Sequence, residues 1–327
     1  MYFQLRKEQI VFMDFDFKHI PVPFRMQPGL RKLAAGATQL TPNHLGARAL
    51  REKLAVLSSH SPQALLTTPG FDAAPALRAL CAQAAAEHPL AFTFDGHAHF
   101  HAHKLGWSLH GDELRAHGDA APEIGACLSS LPAEWRLAGL LSLALAEDFA
   151  IIDGRTAHIP WLAVCLPSHW APEAKVGRHF AQVHAPVADN AMLLTASDHL
   201  ARLVTGDERW ERFVWTITRH PRLHAHPAHT DPEPWSADAS SDQLAAQAFF
   251  RTERQTFIPL AEHRQAVFTI HVELQPLAQA LSTPGQAMQL HDALASMSDA
   301  VLAYRGLTPA RDRLLQWLSA RAVAAAA

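Results

Sequence analysis

Residues 251–277 read RTERQTFIPLAEHRQAVFTIHVELQPL, and this stretch decides the fold class. It contains two runs rich in β-branched and aromatic residues, RQTFIPL and QAVFTIHVEL, which are typical of strands. Similar runs precede it at residues 159–167, IPWLAVCLP, and 212–218, RFVWTIT. Helical patterns lie on both sides of these strands. The sequence therefore predicts an α+β protein with an antiparallel or mixed sheet, rather than repeating βαβ units.

The helices are predicted from apolar spacing and from start signals. Residues 41–59, TPNHLGARALREKLAVLSS, are expected to form a helix with Thr41 as its N-cap and Pro42 as its first residue. Residues 74–88 and 132–147 follow as helices, and the second is apolar nearly all round, which predicts a central position. Two further helices are predicted at the C-terminal end, at residues 283–304 and 308–323.

Composition and charge exclude several classes of protein. The chain has 327 residues, a formal charge of −3 and a pI near 6.7, so nothing in its charge indicates binding to nucleic acid or to an anionic membrane. No run of eighteen uncharged apolar residues occurs, and the N-terminus lacks the pattern of a secretory signal. The three cysteines are widely spaced, which argues against a disulfide framework or a thiolate metal site. We expect a cytoplasmic protein.

Histidine is abundant, with 22 residues, and four of them alternate in FDGHAHFHAHK, residues 94–104. On a strand, the residues at 97, 99, 101 and 103 would share one face. We expect a structural strand after a turn at FDG, with a metal site as the alternative. A second histidine-rich stretch, residues 219–241, also contains four prolines and is expected to be an irregular loop, either a functional lid or a connector.

The usual sequence motifs of nucleotide-binding and hydrolytic enzymes are absent. The chain has no GxGxxG after a strand, no GxxxxGK[ST], no GxSxG and no HExxH. If the protein carries out redox chemistry, its electrons must therefore come from another chain.

Two stretches, residues 147–187 and 251–277, carry a resemblance to a known family. The matching features are Glu147–Asp148, CLPSHW at 165–170, Lys175 and Gly177, VHAPV at 183–187, and ERQT followed by VFTI. A weaker match at PFRMQPGL, residues 23–30, extends the likeness to roughly residues 20–280. In these features the chain resembles the alpha subunit of the haem-dependent oxidative N-demethylases. It differs from their pattern at Ala146, Ala174 and Val214.

The resemblance implies a Per-ARNT-Sim-like (PAS-like) haem-binding fold elaborated by N- and C-terminal helices. We expect residues 1–327 to form a single domain with its core at about residues 20–280. The implied cofactor is haem b, and the implied reaction consumes dioxygen to demethylate a small secondary amine such as dimethylamine, with release of formaldehyde. Electrons would come from NADPH through flavin and iron–sulfur centres on reductase or ferredoxin-type partner subunits. The alternative is a non-catalytic haem or gas sensor.

His184 is the expected axial ligand of the haem iron. It lies in the best-matching segment, among apolar residues and just before Pro186, which restricts the local backbone. The alternative is a core histidine that is hydrogen-bonded to the backbone.

The other candidates lie on the strand around ERQT and near the CLPSHW segment. Strand alternation predicts that Arg251, Glu253 and Gln255 share one face, and that Arg254 lies on the other face with Thr252 and Thr256. We expect Arg251 and Arg254 to pair with haem propionates and Glu253 to hold the protonated amine, with an arginine–glutamate pair that braces the sheet as the alternative. Lys175 and Trp170 match the family and are expected to contact the pocket. The alternative for Lys175 is a solvated side chain that leans over an aromatic edge.

Overall fold

The protein is described by a computed structural model that covers residues 15–230 and 235–323. Residues 1–14, part of the stretch in which we expect no secretory signal, lie outside the described residues. The strands of the protein are β1 Arg31–Lys32, β2 Leu65–Thr67, β3 Phe92–Phe94, β4 His99–Ala102, β5 Trp107–His110, β6 Glu113–Ala116, β7 Asp148–Asp153, β8 His158–Ala163, β9 Trp210–Thr218, β10 Phe249–Leu260 and β11 Gln265–Pro276.

The helices lie before, between and after these strands. They are α1 Arg48–Ala64, α2 Ala74–Glu87, α3 Pro122–Ser130, α4 Arg136–Ala144, α5 Phe180–His184, α6 Ala191–Thr195, α7 Ser197–Val204, α8 Ser241–Ala246, α9 Leu277–Ala280, α10 Pro284–Ala295, α11 Asp299–Tyr304 and α12 Arg311–Val323. Within the described ranges, no helix is long and apolar enough to cross a membrane.

The strands form two antiparallel sheets. The large sheet has the order β1-β9-β10-β11-β7-β8-β2, and the small sheet has the order β3-β4-β5-β6. Every pairing within them is antiparallel, which confirms the α+β class. The predicted strands at residues 159–167, 212–218 and 251–277 correspond to β8, β9 and the β10–β11 pair.

The opening stretch of sequence forms the longest hairpin of the large sheet. Strands β10 and β11 pair over their full length, from Phe249 opposite Pro276 to Leu260 opposite Gln265. The chain reverses through a short 3₁₀ turn, after which Arg264 adopts a left-handed conformation with φ of 52°. Because side chains alternate along a strand, this register defines two faces. We call them the Glu253 face and the Arg254 face.

Different layers cover the two faces. The Arg254 face packs on the principal core, to which β7 contributes Phe149 and Ile151 and α4 contributes an entirely buried run from Ala138 to Ala144. This burial confirms the central position predicted for α4. The connection from β8 to β9, which contains α5, α6 and α7, covers part of the Glu253 face. The rest of this face, at Ile270, Val272 and Leu274, also belongs to the principal core. Helices α10 and α12 pack together at one end of the sheet.

The predicted start of the first helix is wrong. Helix α1 begins at Arg48, seven residues after Thr41, and Thr41 does not act as its N-cap. Instead, Pro42 forms a β-bridge with Leu145, and the Thr41 amide donates to Glu147 Oε2 at 3.0 Å. These contacts with a distant part of the chain hold the segment extended, although its local sequence favours a helix start.

The alternating histidines lie on the small sheet. Only His99 and His101 belong to β4, with Phe100 and Ala102 buried behind them, while His103 begins a short 3₁₀ turn. The expected turn is present, because the Asp95 carboxylate accepts the amides of residues 97, 98 and 99. Neighbouring imidazoles contact one another, with ring centroids 4.0 Å apart for His101 and His103. Among the described residues, no group of three or more histidine, cysteine or acidic side chains is arranged to hold a metal ion.

Candidate active site

Glu253 lies near the middle of β10 and is the centre of a buried polar cluster. Only 8% of the residue is exposed. The Ser168 hydroxyl donates to Oε1, and the Gln255 amide donates to Oε2 at 2.6 Å. On the neighbouring strands, Val214 and Val272 lie directly opposite Glu253 in the sheet register. The carboxylate therefore has hydrogen-bond donors near it and apolar side chains on both sides.

Arg251 holds Ser168 in place and is itself fully buried. Its Nε donates to Ser168 Oγ at 2.8 Å, and its terminal nitrogens donate to the carbonyls of Arg222 at 3.1 Å and Leu223 at 2.7 Å. Burial lowers the pKa of Arg251 to about 10, although the Glu253 charge opposes this shift. Because the guanidinium already has these partners, it orients Ser168 and fastens the irregular stretch that follows β9.

That irregular stretch is the proline- and histidine-rich segment that begins at residue 219. Residues 219–230 and 235–240 contain no helix or strand, as the sequence predicts, and residues 231–234 lie outside the described residues. Besides its contacts with Arg251, the segment forms a parallel bridge between Ala225 and Ser168. His224 also contacts the Cys165 carbonyl through Nδ1 at 2.7 Å. The segment is thus attached to the loop that carries Ser168.

His184 lies at the end of α5, above the Glu253 face. Its Nδ1 is 2.8 Å from the Phe180 carbonyl, so Nδ1 carries the proton and donates. This tautomer, assigned from the hydrogen bond, leaves the lone pair on Nε2 available to a ligand. Burial lowers the pKa of His184 to about 4, the hydrogen bond opposes this shift, and the charges of Arg212 and Lys175 add to it. The imidazole is therefore neutral near pH 7.

Lys175 and Trp170 both lie on the α5 side of this region. Lys175 Nζ donates to the Val183 carbonyl at 2.7 Å, directly before His184, and burial lowers the pKa of this lysine. Trp170 packs in a small apolar cluster with Val176 and Val183. Neither side chain contacts Glu253 directly. Their contacts instead fix the position of α5.

Helix α5 covers the sheet without being tightly packed against it. None of its five residues is fully buried, and α6 buries only Leu193. Beneath it, several side chains of the Glu253 face are also only partly buried, including Val214, Gln255 and Phe268. Phe180 and Val183 of α5 pack in apolar clusters that also contain Phe268, so the helix touches the sheet there and leaves other side chains of this face partly exposed.

Arg212 lies on β9, directly opposite Gln255 on the Glu253 face. Its Nε is buried and has no hydrogen-bond partner among the described residues. Burial lowers the pKa of Arg212, and the Glu253 charge opposes the shift. The two side chains are thus within electrostatic reach, although no direct ion pair joins them. A buried guanidinium nitrogen without a partner is unusual, because an unmade charged hydrogen bond is costly.

Arg254 lies on the other face, as strand alternation predicts. Its Nε contacts Glu211 Oε2 at 3.0 Å, and its Nη1 donates to the Thr38 carbonyl at 2.9 Å. This contact is an arginine–glutamate pair that braces neighbouring strands, the alternative considered for this stretch. Both arginines have protein partners, and their expected pairing with haem propionates stays a prediction.

Glu147 and Asp148 hold structure. Glu147 Oε1 lies 3.1 Å from His271 Nδ1, and Asp148 Oδ1 lies 3.1 Å from the fully buried Lys53 Nζ. The His271 imidazole has a raised pKa because the hydrogen bond and charge of Glu147 outweigh its burial. These pairs connect the end of α4 and the start of β7 to their neighbours.

Two cavities lie near the β9 side of the large sheet. One, of about 250 Å³, opens on the Arg254 face beside Phe15, Phe213 and His271. The other, of about 200 Å³, lies along the edge of β9 and includes Arg212 and Val214 in its wall.

The sequence alone assigns no role to three residues near Glu253, which are Ser168, Gln255 and Arg212. Strand alternation correctly predicts that Gln255 shares a face with Glu253, and Ser168 belongs to the CLPSHW segment that resembles the family. The sequence predicts no hydrogen-bond partner for either residue. Their contacts with Glu253 depend on folding: Ser168 and Glu253 are 85 residues apart in sequence. Arg212 had no signal that separated it from the other arginines, because its burial and lack of partners appear only in the folded chain.

One comparison with known proteins bears on this geometry. A family model described as haem-dependent oxidative N-demethylase, alpha subunit-like, matches residues 43–315. The matched range includes β2–β11 and helices α1–α11. It also includes Glu253 and the side chains hydrogen-bonded around it, which are Ser168, Arg251 and Gln255. The description names haem dependence, oxidative chemistry and one subunit of a larger enzyme. The chain belongs to the haem-dependent oxidative N-demethylase, alpha subunit-like, family.

Proposed function

We propose that this protein is the haem-binding oxygenase component of an oxidative N-demethylase that acts on a small secondary amine such as dimethylamine. The observation that carries the proposal is the neutral, backbone-fixed His184 on a helix that covers part of the Glu253 face of the sheet. A haem ligand needs a free imidazole nitrogen whose ring is oriented by a hydrogen bond at the other nitrogen. His184 has this arrangement.

The residues around His184 fit haem b. Nε2 of His184 would hold the iron, and the loosely packed layer between α5 and the sheet would receive the flat ring. When bound, haem supplies reductive activation of dioxygen, and the overall reaction consumes dimethylamine, dioxygen, two electrons and two protons and yields methylamine, formaldehyde and water. Lys175 and Trp170 would fix α5 around the cofactor, and Arg251 would act through Ser168.

Glu253 would bind the protonated amine. A cationic amine loses its hydration in a buried site and needs a negative partner there. Ser168 and Gln255 orient the carboxylate, and Val214 and Val272 provide apolar surface for the N-methyl groups. The chain thus positions the amine and excludes water, while the oxidising chemistry belongs to the cofactor.

The proposal includes the wider organisation of the enzyme. A five-stranded antiparallel core, β7 to β11, with a helical connection across one face supports a PAS-like fold. We include residues 1–327 in one domain. Electrons would reach haem from NADPH through flavin and iron–sulfur centres on partner subunits, in keeping with the alpha-subunit description. The three cysteines are buried free thiols, which supports a reducing, cytoplasmic setting.

Haem reconstitution tests the proposal directly. The wild-type protein, His184→Ala and His199→Ala would be titrated with hemin while the Soret band is followed. His199 is a matched control, since it is an exposed histidine on the neighbouring helix α7. We expect His184→Ala to lose the low-spin spectrum and His199→Ala to keep it. An unchanged Soret band in His184→Ala would disprove the ligand assignment.

The demethylase reaction has its own measurement. Haem-loaded protein would receive dimethylamine, dioxygen and electrons from a chemical or enzymatic reductant, and formaldehyde would be quantified. We expect formaldehyde in proportion to the amine consumed. A protein that binds haem but neither responds to amines nor forms formaldehyde would instead be the haem or gas sensor.

A further inference from the structure

The cavity along the edge of β9 is strongly cationic. Strand β9 pairs with β1 only at residues 210–211, so the following residues leave an open edge next to the segment 18–31. The cavity between them has a volume of about 200 Å³, and its wall includes five basic side chains, Lys18, Arg25, Arg31, Arg212 and Arg305. Among the described residues, no carboxylate lines it. Low-dielectric walls with charges of one sign attract ions of the opposite sign.

Two of these arginines already have partners. Arg31 forms an ion pair with Glu211 at 2.9 Å. Arg305 donates to the Trp215 carbonyl at 2.7 Å, and its guanidinium stacks over the rings of Phe24 and Trp215, 4.7 and 5.2 Å from their centroids. The wall is therefore both rigid and partly aromatic. Lys18 and Arg25 are exposed near the opening.

Arg212 is the member of this group whose hydrogen bonding is incomplete. Its Nε is buried and has no partner within the described part of the chain, and the charge of Glu253 acts on it without an ion pair. Its side chain belongs to the cavity wall and also to the Glu253 face. A carboxylate in the cavity could accept two parallel hydrogen bonds from the guanidinium, the strongest arrangement available to arginine.

We infer that this cavity binds the carboxylate of an anionic ligand and that Arg212 is its principal partner. The carboxylate belongs either to the haem, as a propionate, or to a separate small aromatic acid that the rings of Phe24 and Trp215 would contact. In the first case the inference rests on the proposed haem function. In the second case the inference does not depend on the haem function.

The first experiment tests the haem propionate. Wild-type protein, Arg212→Gln, Arg212→Lys and Arg254→Gln would be titrated with hemin and with hemin dimethyl ester, in which both carboxylates are blocked. We expect the wild type to bind hemin about tenfold more tightly than the ester, and Arg212→Gln to bind the two equally. Arg212→Lys should prefer hemin over the ester less strongly than the wild type does and more strongly than Arg212→Gln does, because lysine keeps the charge and loses the paired donors. Arg254→Gln decides between the two arginines: loss of discrimination there, with retention in Arg212→Gln, overturns the inference.

The second experiment tests a separate acid and does not require haem. Benzoate would be titrated calorimetrically into haem-free wild type, Arg212→Gln and Arg115→Gln. Arg115 is a charge-matched control, since it is exposed on the small sheet and pairs with Glu113. If hemin and its ester bind the wild type equally, or if neither binds, we expect benzoate to bind the wild type and Arg115→Gln, and to bind Arg212→Gln about tenfold more weakly.

The outcomes separate the inference from the proposed function. A protein that takes up no haem but binds benzoate through Arg212 contradicts the haem function and supports the carboxylate site. A wild type that neither distinguishes hemin from its ester nor binds benzoate overturns the site, whether or not haem binds. Equal losses in Arg212→Gln and Arg115→Gln also overturn it, because they would reflect net charge alone. Circular dichroism would confirm that each variant is folded.

Discussion

Glu253 occupies an environment that opposes its charge and compensates it at the same time. Burial beside Val214 and Val272 removes water, while the Ser168 hydroxyl and the Gln255 amide replace part of the lost hydration. The hydrogen-bond donors come from two segments, the loop after β8 and β10 itself. A carboxylate fixed in this way would bind the proposed amine without rearranging.

Replacement of Glu253 by glutamine tests this role. We expect Glu253→Gln to keep haem and to bind dimethylamine about 10- to 100-fold more weakly, because the amide keeps the shape and loses the charge. The affinity would be measured from the Soret change during amine titration. Glu208→Gln is the control, since Glu208 is exposed and pairs with Lys32 at the surface. Equal amine affinities in the wild type and Glu253→Gln would remove Glu253 from the site.

Among the elements, α5 is unusual because it carries the proposed iron ligand and yet has no fully buried residue. Its position depends on a few polar contacts, including the bond from Lys175 to the Val183 carbonyl. Helix α4 is the opposite case, since it lies deep in the principal core. Elements with few buried contacts open locally at low free energy, whereas core elements open only when the whole domain unfolds.

Hydrogen exchange should show this difference between the two helices. We expect hemin to slow amide exchange markedly in residues 180–195 and to change exchange in α4 much less, because the cofactor would fill the space under α5. Mass spectrometry of peptides from haem-free and haem-loaded protein would measure both regions. Slower exchange in α4 with no change in α5 would contradict haem binding in this layer.

The histidines of β4 are expected to be structural. The buried side of the small sheet joins the principal core through Phe100 and Ala102, so the imidazoles lie away from the Glu253 face. We expect the double variant His99→Thr/His101→Thr to keep the haem content and turnover of the wild type, because threonine also favours strands. Spectra and formaldehyde assays would be compared at equal protein concentration. A folded double variant that loses haem would show that these histidines contribute to the site.

On the scale of the whole molecule, one buried pair connects the N-terminal segment to the large sheet. Glu147 accepts the Thr41 amide and pairs with His271 of β11. The pKa of Glu147 is lowered because the contacts with His271 and Thr41 outweigh its burial. The pKa of His271 is raised from its usual value of 6.5. Each shift favours the charged form of its group in the folded protein.

This pair predicts a pH-dependent difference in stability. Because its folded-state pKa is raised, the stabilisation from His271 is complete below pH 6.5 and is lost as the pH rises through that folded-state pKa. We therefore expect His271→Gln to lower the free energy of unfolding by about 3 kcal/mol near pH 6, with a smaller loss at about pH 9. Urea unfolding of the wild type and His271→Gln between these pH values would measure the free energy of unfolding, with His263→Gln as a control at an exposed histidine. A difference between wild type and His271→Gln that grows with rising pH would contradict the assignment.

The sequence predicted the parts of this molecule that depend on local pattern. Long strands such as β10 and β11 and the buried helix α4 have strong periodicity, and alternation correctly placed Glu253 and Arg254 on opposite faces. The start of α1 was wrong because Thr41 and Pro42 form a good local helix signal that a distant carboxylate and a β-bridge override. The hydrogen-bond partners of Glu253 and the unpaired, buried Nε of Arg212 could not be predicted, since both depend on segments that meet only after folding.

In the proposed amine site, the two valines beside Glu253 would also affect which cations compete for the carboxylate. A sodium or ammonium ion would have to give up strongly held water next to side chains that offer no oxygen atom in return. An alkylated ammonium group loses less water, because its carbon atoms are already poorly hydrated, and these same carbons gain contact with the valines. In the proposed amine site the carboxylate would therefore select against the abundant inorganic ions of the surrounding solution, through the hydration of the competitor rather than through any repulsive contact.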